Sequence, residues 1–564
     1  MVKIPEDYLP PKELWPVFEV PPEYKVPDKI NLAEELLDIN IKQGRTNNVA
    51  IYFQDQKITY RELYINVNKL ANSLRELGVE ENDRVGLRTA NIPQAIVANF
   101  AIMKVGAIPV PMSPLWSAKE LTYASNNAEL KAMFVTYGLI GEVERSMKEL
   151  GGFKTCKYMI VIGAKPEEIK PKGYYSYEEL VAKGAKQFEP VRRDKRDIGL
   201  LLYTSGTTGD PKGCAHFQEG ALILCDMVGK QVWKLTPSDV VGGSAPVSFA
   251  AGYGTFALIP YRFGAAVSLL LKFVPEELLA DVEKHGITVF TGLPTAYRKF
   301  LTMPDWEKKY DLSSIRMYTT GGEALGGETF EAWLKRTGMP IYEGLGATEM
   351  VHLVLSNAVT MKPKAKSCGV PLKGLTVRIV DDDGKPCKPG EIGTMTIRGP
   401  TGIVYWRPTE HGGRLMKKQK ESVKNGWNVL GDYVYADEEG YIYFVSRDDD
   451  MIKSSGYRIG PEEVEEVIAK HPKVADVGVI GVPHPVRGMD VKAWVQLKPD
   501  IPVPTTEEAK KALEQEILNF MRDKIAVYKL PRLFEFTHNP LPRTPTGKLI
   551  RRFIRDWEKA KEKK

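Results

Sequence analysis

Between residue 31 and about residue 445 the chain alternates amphipathic helical segments with short runs of β-branched and other apolar residues. Apolar residues recur at helical spacing in 62–77 and 92–105, and segment 84–87 between them has the composition of a strand. Strands that alternate with helices form parallel layers, because each helix returns the chain to the same edge of the sheet. No repeat with a period of roughly 20–50 residues is present, which argues against a solenoid or a propeller. The pattern therefore predicts an α/β fold, with further strands at 133–135, 159–162 and 199–203.

The alternation changes after the charged segment 446–450, which reads Ser-Arg-Asp-Asp-Asp. A chain of 564 residues is too long for one typical compact domain. We therefore expect a large N-terminal domain of layered sheets and helices, then a short linker that permits hinge motion, then a small mobile α+β domain. The elements predicted in the small domain are helices at 461–470 and 507–524 and strands at 474–482, 491–497 and 533–536.

The first 30 residues differ from the rest because they contain seven prolines and no regular periodicity. Such a segment is typical of an extended arm that lies over a domain. The predicted boundaries are 1–30 for this Pro-rich arm, 31–447 for the large N-terminal domain, 448–450 for the hinge and 451–564 for the small domain.

Charge and cysteine content argue against several classes of protein. The 78 Lys and Arg against 72 Asp and Glu leave a formal net charge of +6 spread along the chain, so no nucleic-acid partner is expected. No run of roughly 18 uncharged apolar residues occurs, which predicts no membrane span. The five cysteines form no CxxC pair, and the first residues lack the apolar run of a secretory signal. We expect a cytoplasmic protein and leave open whether it forms a homo-oligomer.

A loop suited to binding polyphosphate follows the predicted strand 199–203. It reads Thr204-Ser-Gly-Thr-Thr-Gly-Asp-Pro-Lys-Gly213. Its glycines let backbone amides approach an anion, and its hydroxyls and Lys212 supply further donors. The spacing differs from the P-loop GxxxxGK[ST], and clusters of Ser, Thr and Gly also form solvated turns. From these residues alone, both a phosphate site and a surface turn stay open.

Together with Tyr203, this loop resembles the signature of the adenylate-forming superfamily, which contains acyl-CoA synthetases, luciferases and the adenylation domains of peptide synthetases. Five further strings that resemble the same family follow in order along the chain. They are GGEAL at 321–325, YEGLGATE at 342–349, GD at 431–432, SRDDDMIKSSGYRIGP at 446–461 and PRTPTGK at 542–548. The resemblance implies a reaction in two halves. An acid first attacks ATP to form an acyl-adenylate and pyrophosphate, and a thiol then takes the acyl group.

The resemblance also implies the ATP site and the catalytic residues. An anionic carboxylate is repelled by the polyphosphate, so the enzyme must supply positive charge. Lys548 would bridge the carboxylate and the α-phosphate, Thr348 would donate to that phosphate, and Glu349 would hold the Mg²⁺ that neutralises pyrophosphate. Asp432 and Arg447 would bind the ribose. The remaining ATP-binding residues implied are Thr204, Ser205, Gly206, Thr207, Thr208, Gly209, Lys212, Gly322, Glu323, Ala324, Tyr342, Glu343 and Gly344.

For the second half of the reaction, the resemblance implies that the small domain turns about Asp449. This turn would withdraw Lys548 and bring a CoA-binding segment to the acyl group. A glycine at position 456 leaves space for the narrow pantetheine tunnel, and Arg458 and Arg532 are cations suited to the phosphates of CoA. The CoA-binding residues implied are Ser455, Gly456, Tyr457, Arg458 and Arg532.

The acid pocket is expected at Phe249, Tyr253, Gly322 and Gly346. Relatives that activate amino acids usually carry an aspartate directly after the aromatic residue, whereas this chain has Ala250, which disfavours an amino-acid substrate. Acetyl-CoA synthetases carry a tryptophan where this chain has Gly346. The pocket should therefore take an acid of about four or more carbons, or an aromatic ring.

The C-terminal strings resemble medium-chain acyl-CoA synthetases and the CoA ligases for benzoate, aminobenzoate and 4-hydroxybutyrate. We therefore expect an AMP-forming acid-CoA ligase that uses ATP, Mg²⁺ and CoA, with 4-hydroxybutyrate as the leading acid and an aromatic acid as the alternative. A carrier-loading adenylation enzyme is disfavoured by Ala250, Arg458 and Arg532. A luciferase-like oxygenase shares the ATP motifs and stays open. A regulator that only binds nucleotide would be expected to lack Lys548 or Glu349, and both are present.

Overall fold

The chain divides into two compact units. Unit 1 contains Met1–Val377 and Ile397–Leu430, and unit 2 contains Arg378–Thr396 and Gly431–Lys564. The computed structural model describes residues 4–204, 210–454, 457–485, 487–522, 524–543 and 549–562, without the side chains at 411 and 562.

The strands are numbered in chain order. They are β1 (Lys29–Ile30), β2 (Val49–Phe53), β3 (Gln56–Thr59), β4 (Arg84–Arg88), β5 (Ile108–Pro111), β6 (Leu130–Thr136), β7 (Tyr158–Ile162), β8 (Tyr175–Ser176), β9 (Arg193–Asp194), β10 (Ile198–Thr204), β11 (Lys212–Phe217), β12 (Val240–Gly243), β13 (Ala266–Leu269), β14 (Val289–Thr291), β15 (Met317–Thr320), β16 (Ile341–Gly346), β17 (Leu353–Ser356), β18 (Ser367–Pro371), β19 (Thr376–Val380), β20 (Gly393–Arg398), β21 (Val423–Lys424), β22 (Trp427–Ala436), β23 (Ile442–Arg447), β24 (Ile452–Ser454), β25 (Tyr457–Ile459), β26 (Val474–His484), β27 (Gly488–Leu497) and β28 (Leu533–Thr537).

The α-helices are numbered in the same way. They are α1 (Ile39–Lys42), α2 (Tyr60–Glu76), α3 (Pro93–Lys104), α4 (Ala118–Ala128), α5 (Ile140–Glu149), α6 (Pro166–Ile169), α7 (Tyr177–Lys183), α8 (Gln218–Met227), α9 (Ala250–Tyr253), α10 (Ile259–Phe263), α11 (Pro275–His285), α12 (Pro294–Thr302), α13 (Trp306–Lys309), α14 (Gly327–Thr337), α15 (Glu410–Ser422), α16 (Pro461–Ile468), α17 (Glu507–Met521) and α18 (Arg551–Glu562).

The elements predicted from periodicity are confirmed. Helices α2 and α3 and strands β4, β6, β7 and β10 stand where the alternating pattern placed them, and so do α16, β26, β27, α17 and β28 in unit 2. Local sequence explains some of the boundaries. Helix α2 begins with a capping box, in which the Thr59 hydroxyl accepts from the backbone of Glu62 and the Glu62 carboxylate accepts from the backbone of Thr59.

Two sheets dominate unit 1. The first has five parallel strands in the order β5-β4-β6-β7-β8. The second runs in the order β18-β17-β16-β15-β14-β12-β13-β2-β3, and its strands from β16 to β2 are parallel. The antiparallel pair β10 and β11 forms a separate hairpin. Both sheets agree with the predicted layered α/β domain.

Unit 2 contains a five-stranded sheet in the order β25-β24-β27-β26, with β28 parallel to β27. Helices α16, α17 and α18 belong to the same unit, which gives the α+β character expected for the C-terminal part. The chain crosses between the units within strands β19, β20 and β22. The hinge at 448–450 and the boundary at 447 stay predictions.

Three segments of unit 1 that contain predicted site residues follow neighbouring parallel strands. Residues 244–253 follow β12, residues 321–325 follow β15, and residues 347–349 follow β16. Strands β12, β14, β15 and β16 are adjacent and parallel, so their carboxyl ends meet at one edge of the sheet. Ligands of open α/β sheets bind outside the carboxyl ends of the strands. The topology therefore gathers three of the predicted segments at the edge where a ligand site is expected.

Aromatic packing supports this sheet from one side. The rings of Trp306 and Trp333 are stacked with their centres 5.1 Å apart, and Trp333 also contacts the edge of Tyr297 at 4.8 Å. Each such pair contributes about 0.5–1.5 kcal/mol beyond the area that it buries. The Tyr297 hydroxyl donates to the carbonyl of Thr319 at 2.8 Å, which ties this cluster to β15.

The Pro-rich N-terminal segment belongs to unit 1 and contacts distant parts of that unit. The backbone of Glu19 donates to the carbonyl of Gly399 at 2.9 Å, and the backbone of Arg407 donates to the carbonyl of Tyr8 at 2.7 Å. Trp15 packs at 5.2 Å from Phe217, the last residue of β11. Within the part of the chain that the structure describes, no helix has the length and apolar character needed to cross a bilayer.

Candidate active site

The phosphate loop joins the two strands of the β10–β11 hairpin. Thr204 and Lys212 are partners in the strand register, so both stand at the base of this loop. The Thr204 hydroxyl oxygen is buried and has no hydrogen-bond partner among the residues described. Such an orphaned donor is costly unless a ligand or water pairs with it. The predicted ATP-binding residues Ser205, Gly206, Thr207, Thr208 and Gly209 lie outside the described residues.

Tyr405 is a member of this site that the sequence did not reveal. The backbone of Trp406 donates to the carbonyl of Gly213 at 2.9 Å, so the segment that carries Tyr405 runs alongside β11. The Tyr405 ring centre lies 5.9 Å from Nζ of Lys212, and the tyrosine hydroxyl lies 3.3 Å from Oε1 of Glu349. No motif marks this tyrosine in the sequence, because its neighbours are distant along the chain.

Glu349 lies in a short 3₁₀ turn that begins at Thr348, directly beyond β16. Its carboxylate is half-buried and accepts a long hydrogen bond from Tyr405, so it keeps lone pairs for a hard cation. No cluster of three or more metal-ligating side chains occurs within the described residues. Mg²⁺ commonly uses one or two carboxylates together with substrate phosphates. The residues present therefore fit a magnesium ion that arrives with ATP.

The loop after β15 is held by a buried carboxylate. Oε1 of Glu343 accepts a hydrogen bond from the backbone of Leu325 at 3.2 Å. Burial raises the pKa of Glu343 to about 7, because the charged form loses its water. Glu323 lies nearer the surface and pairs with Arg298 at 3.1 Å. Gly322 has φ +91°, a backbone conformation that disfavours any other residue.

The remaining predicted ATP-binding residues lie on or beside the same strands. Ala324 lies in the loop that Glu343 holds, and Tyr342 and Gly344 belong to β16. Tyr342 is buried, which raises its pKa because the phenolate would lose its water. A Cβ on Gly344 would lie 2.7 Å from the carbonyl oxygen of Leu355, so only glycine fits the close approach of β16 and β17.

The segment after β12 contains the predicted aromatic residues of the acid pocket. Phe249 is half-buried at the start of α9, whereas Tyr253 is buried and donates its hydroxyl to Oδ1 of Asn99 at 2.5 Å. Val247, Ser248 and Tyr253 line a small cavity of about 10 Å³. This volume is close to that of a single water probe, so the cavity lacks room for an acid.

Gly346 lies at the end of β16, where the strand register shifts against β17. A Cβ at this position would lie 2.4 Å from the carbonyl oxygen of His352 and 2.9 Å from Cα of Leu353. Both contacts are with backbone, so a larger residue would displace a strand in addition to filling any pocket.

His352 is a second residue that sequence reasoning missed. Its ring packs at 5.4 Å from Trp233, and Nε2 lies 3.2 Å from the carbonyl oxygen of Ala251 on α9. Burial lowers the pKa of His352 to about 4, so the imidazole is uncharged at neutral pH. Nδ1 has no hydrogen-bond partner among the described residues. His352 therefore brings a neutral, unpaired nitrogen beside two of the predicted pocket segments.

Unit 2 contains the predicted ribose pair. Asp432 and Arg447 are partners in the register of β22 and β23, and Nη1 of Arg447 lies 2.7 Å from Oδ1 of Asp432. The Asp432 side chain is buried, whereas that of Arg447 is 44% exposed. The strand pairing explains why two residues 15 apart in the sequence meet. Asp432 and Arg447, which were predicted together from the spacing of the motifs, are therefore in contact.

The CoA-binding residues are described only in part, because Ser455 and Gly456 lie outside the described residues. The ring of Tyr457 stacks on Tyr528 with centres 4.2 Å apart. Nη2 of Arg458 pairs with Asp382 at 2.5 Å, and its Nη1 donates to the carbonyl of Ile392. The Asp382 side chain is 70% exposed, so solvent screens that ion pair.

Arg532 and the hinge residue complete the predicted set in unit 2. Arg532 is 48% exposed, and its Nε lies 3.4 Å from Oδ1 of Asp490. Asp449 is exposed in the connection between β23 and β24. The preceding Asp448 donates its backbone amide to the carbonyl of Gly431 at 2.8 Å. Lys548 lies outside the described residues.

Comparison with known proteins identifies the family of this chain. Residues 39–405 match the model of the AMP-binding enzyme family, and residues 463–548 match the AMP-binding enzyme C-terminal domain. The chain is 32% identical over 542 residues to an acetyl-coenzyme A synthetase of Bacillus subtilis, covering 94% of this chain and 91% of that protein. It is 30% identical over 536 residues to a benzoate-CoA ligase of Thauera aromatica, covering 94% of this chain and 97% of that protein.

A solved structure gives the same result for the fold. The crystal structure of the anthranilate-CoA ligase AuaEII in complex with anthranoyl-AMP matches with a TM-score of 0.85 and 31% identity, covering 96% of this chain and 99% of that chain. The chain therefore belongs to the AMP-binding enzyme family, the adenylate-forming superfamily that its motifs resembled. Within that family it is an AMP-forming acyl- or aryl-CoA ligase, which uses ATP and CoA and passes through an acyl-adenylate.

Proposed function

We propose that this ligase activates a monocarboxylic acid whose body carries no charge, and that the acid is aromatic, of the benzoate or 2-aminobenzoate type. The observation that carries this proposal is the neutral His352 beside an uncharged helix. Segment 244–258 contains no charged residue, and the lowered pKa of His352 leaves its imidazole uncharged at neutral pH. A second carboxylate or an ammonium group would find no counter-charge on this segment or on His352, and its desolvation would cost several kcal/mol.

The structural comparison favours a ring, although the curated relatives also include an acetyl-coenzyme A synthetase. The curated relatives include a benzoate-CoA ligase, and the structural match with a TM-score of 0.85 is an enzyme bound to anthranoyl-AMP. Phe249 is half-buried at the start of α9, and an aromatic side chain suits stacking or edge contacts with an aromatic acid.

A second candidate is 4-hydroxybutyrate, the leading acid of the sequence prediction. The unpaired Nδ1 of His352 supports it, because a buried acceptor gains a partner from a hydroxyl group. The same nitrogen would serve the amino group of 2-aminobenzoate. His352→Phe should therefore lower kcat/KM for 4-hydroxybutyrate and 2-aminobenzoate and spare benzoate.

We further propose the roles of the predicted site residues. Thr204 and Lys212 would bind the phosphates, Glu349 would hold Mg²⁺, and Asp432 with Arg447 would bind the ribose. Support comes from the orphaned hydroxyl of Thr204, the free lone pairs of Glu349 and the observed contact between Asp432 and Arg447. Lys548 would neutralise the charge that develops during acyl-adenylate formation.

We also infer a cytoplasmic location, which is supported by five cysteines that are all free thiols. A homo-oligomer stays a prediction that needs a measurement of mass in solution.

AMP formation across a panel of acids tests the substrate proposal. The panel contains benzoate, 2-aminobenzoate, 4-hydroxybutyrate, butyrate, acetate, malonate and glycine, each with and without CoA. We expect CoA-dependent turnover, with an aromatic acid preferred by a factor of about 100 or more over malonate and glycine. Preference for malonate or glycine would contradict the uncharged pocket. AMP formation that ignores CoA would favour a carrier as the acceptor.

A further inference from the structure

The turn that contains Lys548 is bracketed by residues that the structure does describe. Arg543 and Leu549 pair as an antiparallel bridge, and the backbone of Ile550 donates to the carbonyl of Pro542 at 2.8 Å. On the first side of the turn, the guanidinium of Arg543 contacts the carboxylate of Asp476 on β26 at 2.6 Å and 3.0 Å. The base of this turn is therefore attached to the sheet of unit 2.

Arg551, the first residue of α18, holds the other side. Its Nη2 and Nε contact the two carboxylate oxygens of Glu465 on α16 at 2.6 Å and 3.1 Å. Nη1 of Arg551 also donates a hydrogen bond to Oε1 of Glu462 at 3.3 Å. The Arg551 side chain is 4% exposed, and its pKa lies above the usual range because several carboxylates surround it. A two-pronged, buried contact of this kind fixes direction as well as distance.

The same arginine reaches the connection that was predicted to act as the hinge. Nη1 of Arg551 lies 3.2 Å from Oδ2 of Asp450, and Nη1 of Arg555 on the next turn of α18 lies 2.8 Å from Oδ1 of Asp450. Asp450 directly follows Asp449 in the sequence. One carboxylate at the end of the hinge is therefore tied to the helix that follows the Lys548 turn.

We propose that Arg551 is a positioning residue for acyl-adenylate formation, which couples the hinge at Asp450 to the turn that carries Lys548. Removing Arg551 would take from Glu465 its buried cationic partner and from Asp450 one of its two, so the network favours a single arrangement of α18, α16 and the hinge. With this network intact, a rotation at the hinge carries α16 and α18 with it, together with the strand bridge between Arg543 and Leu549 that flanks Lys548. The assignment rests on the proposed role of Lys548.

Two variants test the coupling, measured as separate half-reactions. Arg551→Lys keeps the charge and loses the two-pronged contact, and Asp450→Asn removes the hinge charge without touching Glu465. For Arg551→Lys we expect the rate of pyrophosphate release at saturating acid and ATP to fall about tenfold or more, with KM for ATP within about twofold. Transfer to CoA from a pre-formed acyl-adenylate should stay within about twofold of the unmodified protein. Asp450→Asn should show the same selective loss, smaller in size.

The matched control is Arg552→Lys, the neighbouring residue, whose side chain is 46% exposed and pairs only loosely with Asp556 at 3.8 Å. It should change neither half-reaction. Equal losses in both half-reactions, per folded molecule, would show that Arg551 is only structural. If Arg551→Lys does not fold, Asp450→Asn decides alone, and unchanged pyrophosphate release in that variant overturns the coupling. Lys548→Ala separates the two hypotheses. Normal pyrophosphate release by this variant would overturn the role of Lys548. If Lys548→Ala loses pyrophosphate release while Arg551→Lys and Asp450→Asn keep it, only the coupling is overturned.

Discussion

The carboxyl group of Glu343 contributes a pH dependence to the stability of unit 1. Burial raises its pKa to about 7, whereas an unfolded glutamate titrates near its ordinary value of 4.5. Below about pH 4.5 the group is protonated in both states. Between about pH 4.5 and 7 only the unfolded state releases the proton, so the folded state loses stability as the pH rises. Above about pH 7 the loss stays constant.

Glu343→Gln should remove this dependence, because the amide is neutral in both states and its oxygen can still accept from Leu325. The variant should gain about 3 kcal/mol relative to the unmodified protein between pH 4.5 and 8. Thermal unfolding of both proteins at several pH values in this window measures the gain. Glu331→Gln, at an exposed position of α14, is the control. Parallel Tm profiles for Glu343→Gln and the unmodified protein would contradict the assignment.

Among individual residues, the sequence could reveal those that belong to a family motif. It could not reveal residues that reach the site only because distant segments pack together. Asp432 and Arg447 were predicted from their motif spacing, and they meet at 2.7 Å. Tyr405 and His352 were missed. Tyr405 reaches Glu349 because its segment pairs with β11, and His352 reaches Ala251 because β16 and β17 turn towards α9. Such contacts depend on packing between distant segments, which one sequence does not encode in a readable pattern.

Among the elements, the end of β16 constrains the predicted acid pocket. The sequence suggests that a bulky residue at Gly346 would shorten the pocket. In the structure, a Cβ there meets the backbone carbonyl of His352 at 2.4 Å, which is closer than real side chains approach. A change of acid preference in Gly346→Trp would therefore combine pocket filling with displacement of β17.

Gly346→Ala isolates the contribution of the strand. We expect it to destabilise the protein by about 1–3 kcal/mol, because the added methyl overpacks the β16–β17 turn. The matched control is Gly141→Ala in α5, where an added Cβ meets nothing within 4 Å and the helix should gain about 0.5–1 kcal/mol. Thermal unfolding of the two variants gives both values. An unchanged Tm for Gly346→Ala would show that the site has room, and Gly346→Trp would then test the pocket directly.

The elements themselves were largely predictable, whereas their order in the sheets was not. Helix α2 carries an amphipathic pattern and a Thr59–Glu62 capping box, both of which are local signals. The adjacency of β16, β15, β14 and β12 results from pairing between strands separated by helices. This adjacency brings the predicted segments to one edge of the sheet. The motifs therefore indicated the site residues, whereas the arrangement of those residues in space could not be derived from the sequence.

At the scale of the whole molecule, the predicted motifs are distributed over both units. Unit 1 contains the β10–β11 hairpin and Glu349, and unit 2 contains Asp432, Arg447 and helix α18. The two-domain organisation was predicted from the change in pattern near residue 446. The chain crosses between the units within β19, β20 and β22, a path that alternation of helices and strands does not reveal.

The enzyme passes through an acyl-adenylate, so its reaction has two halves, and we propose that Lys548 acts in only the first. Lys548→Ala, compared with the unmodified protein and with Lys559→Ala in the exposed end of α18, tests it most directly. Removing a charge that stabilises a developing anion should lower pyrophosphate release from acid and ATP by a factor of about 100–1,000. Transfer of the acyl group from pre-formed acyl-adenylate to CoA should stay within a few-fold of normal. Equal loss of both half-reactions, or no loss of pyrophosphate release, would contradict the account.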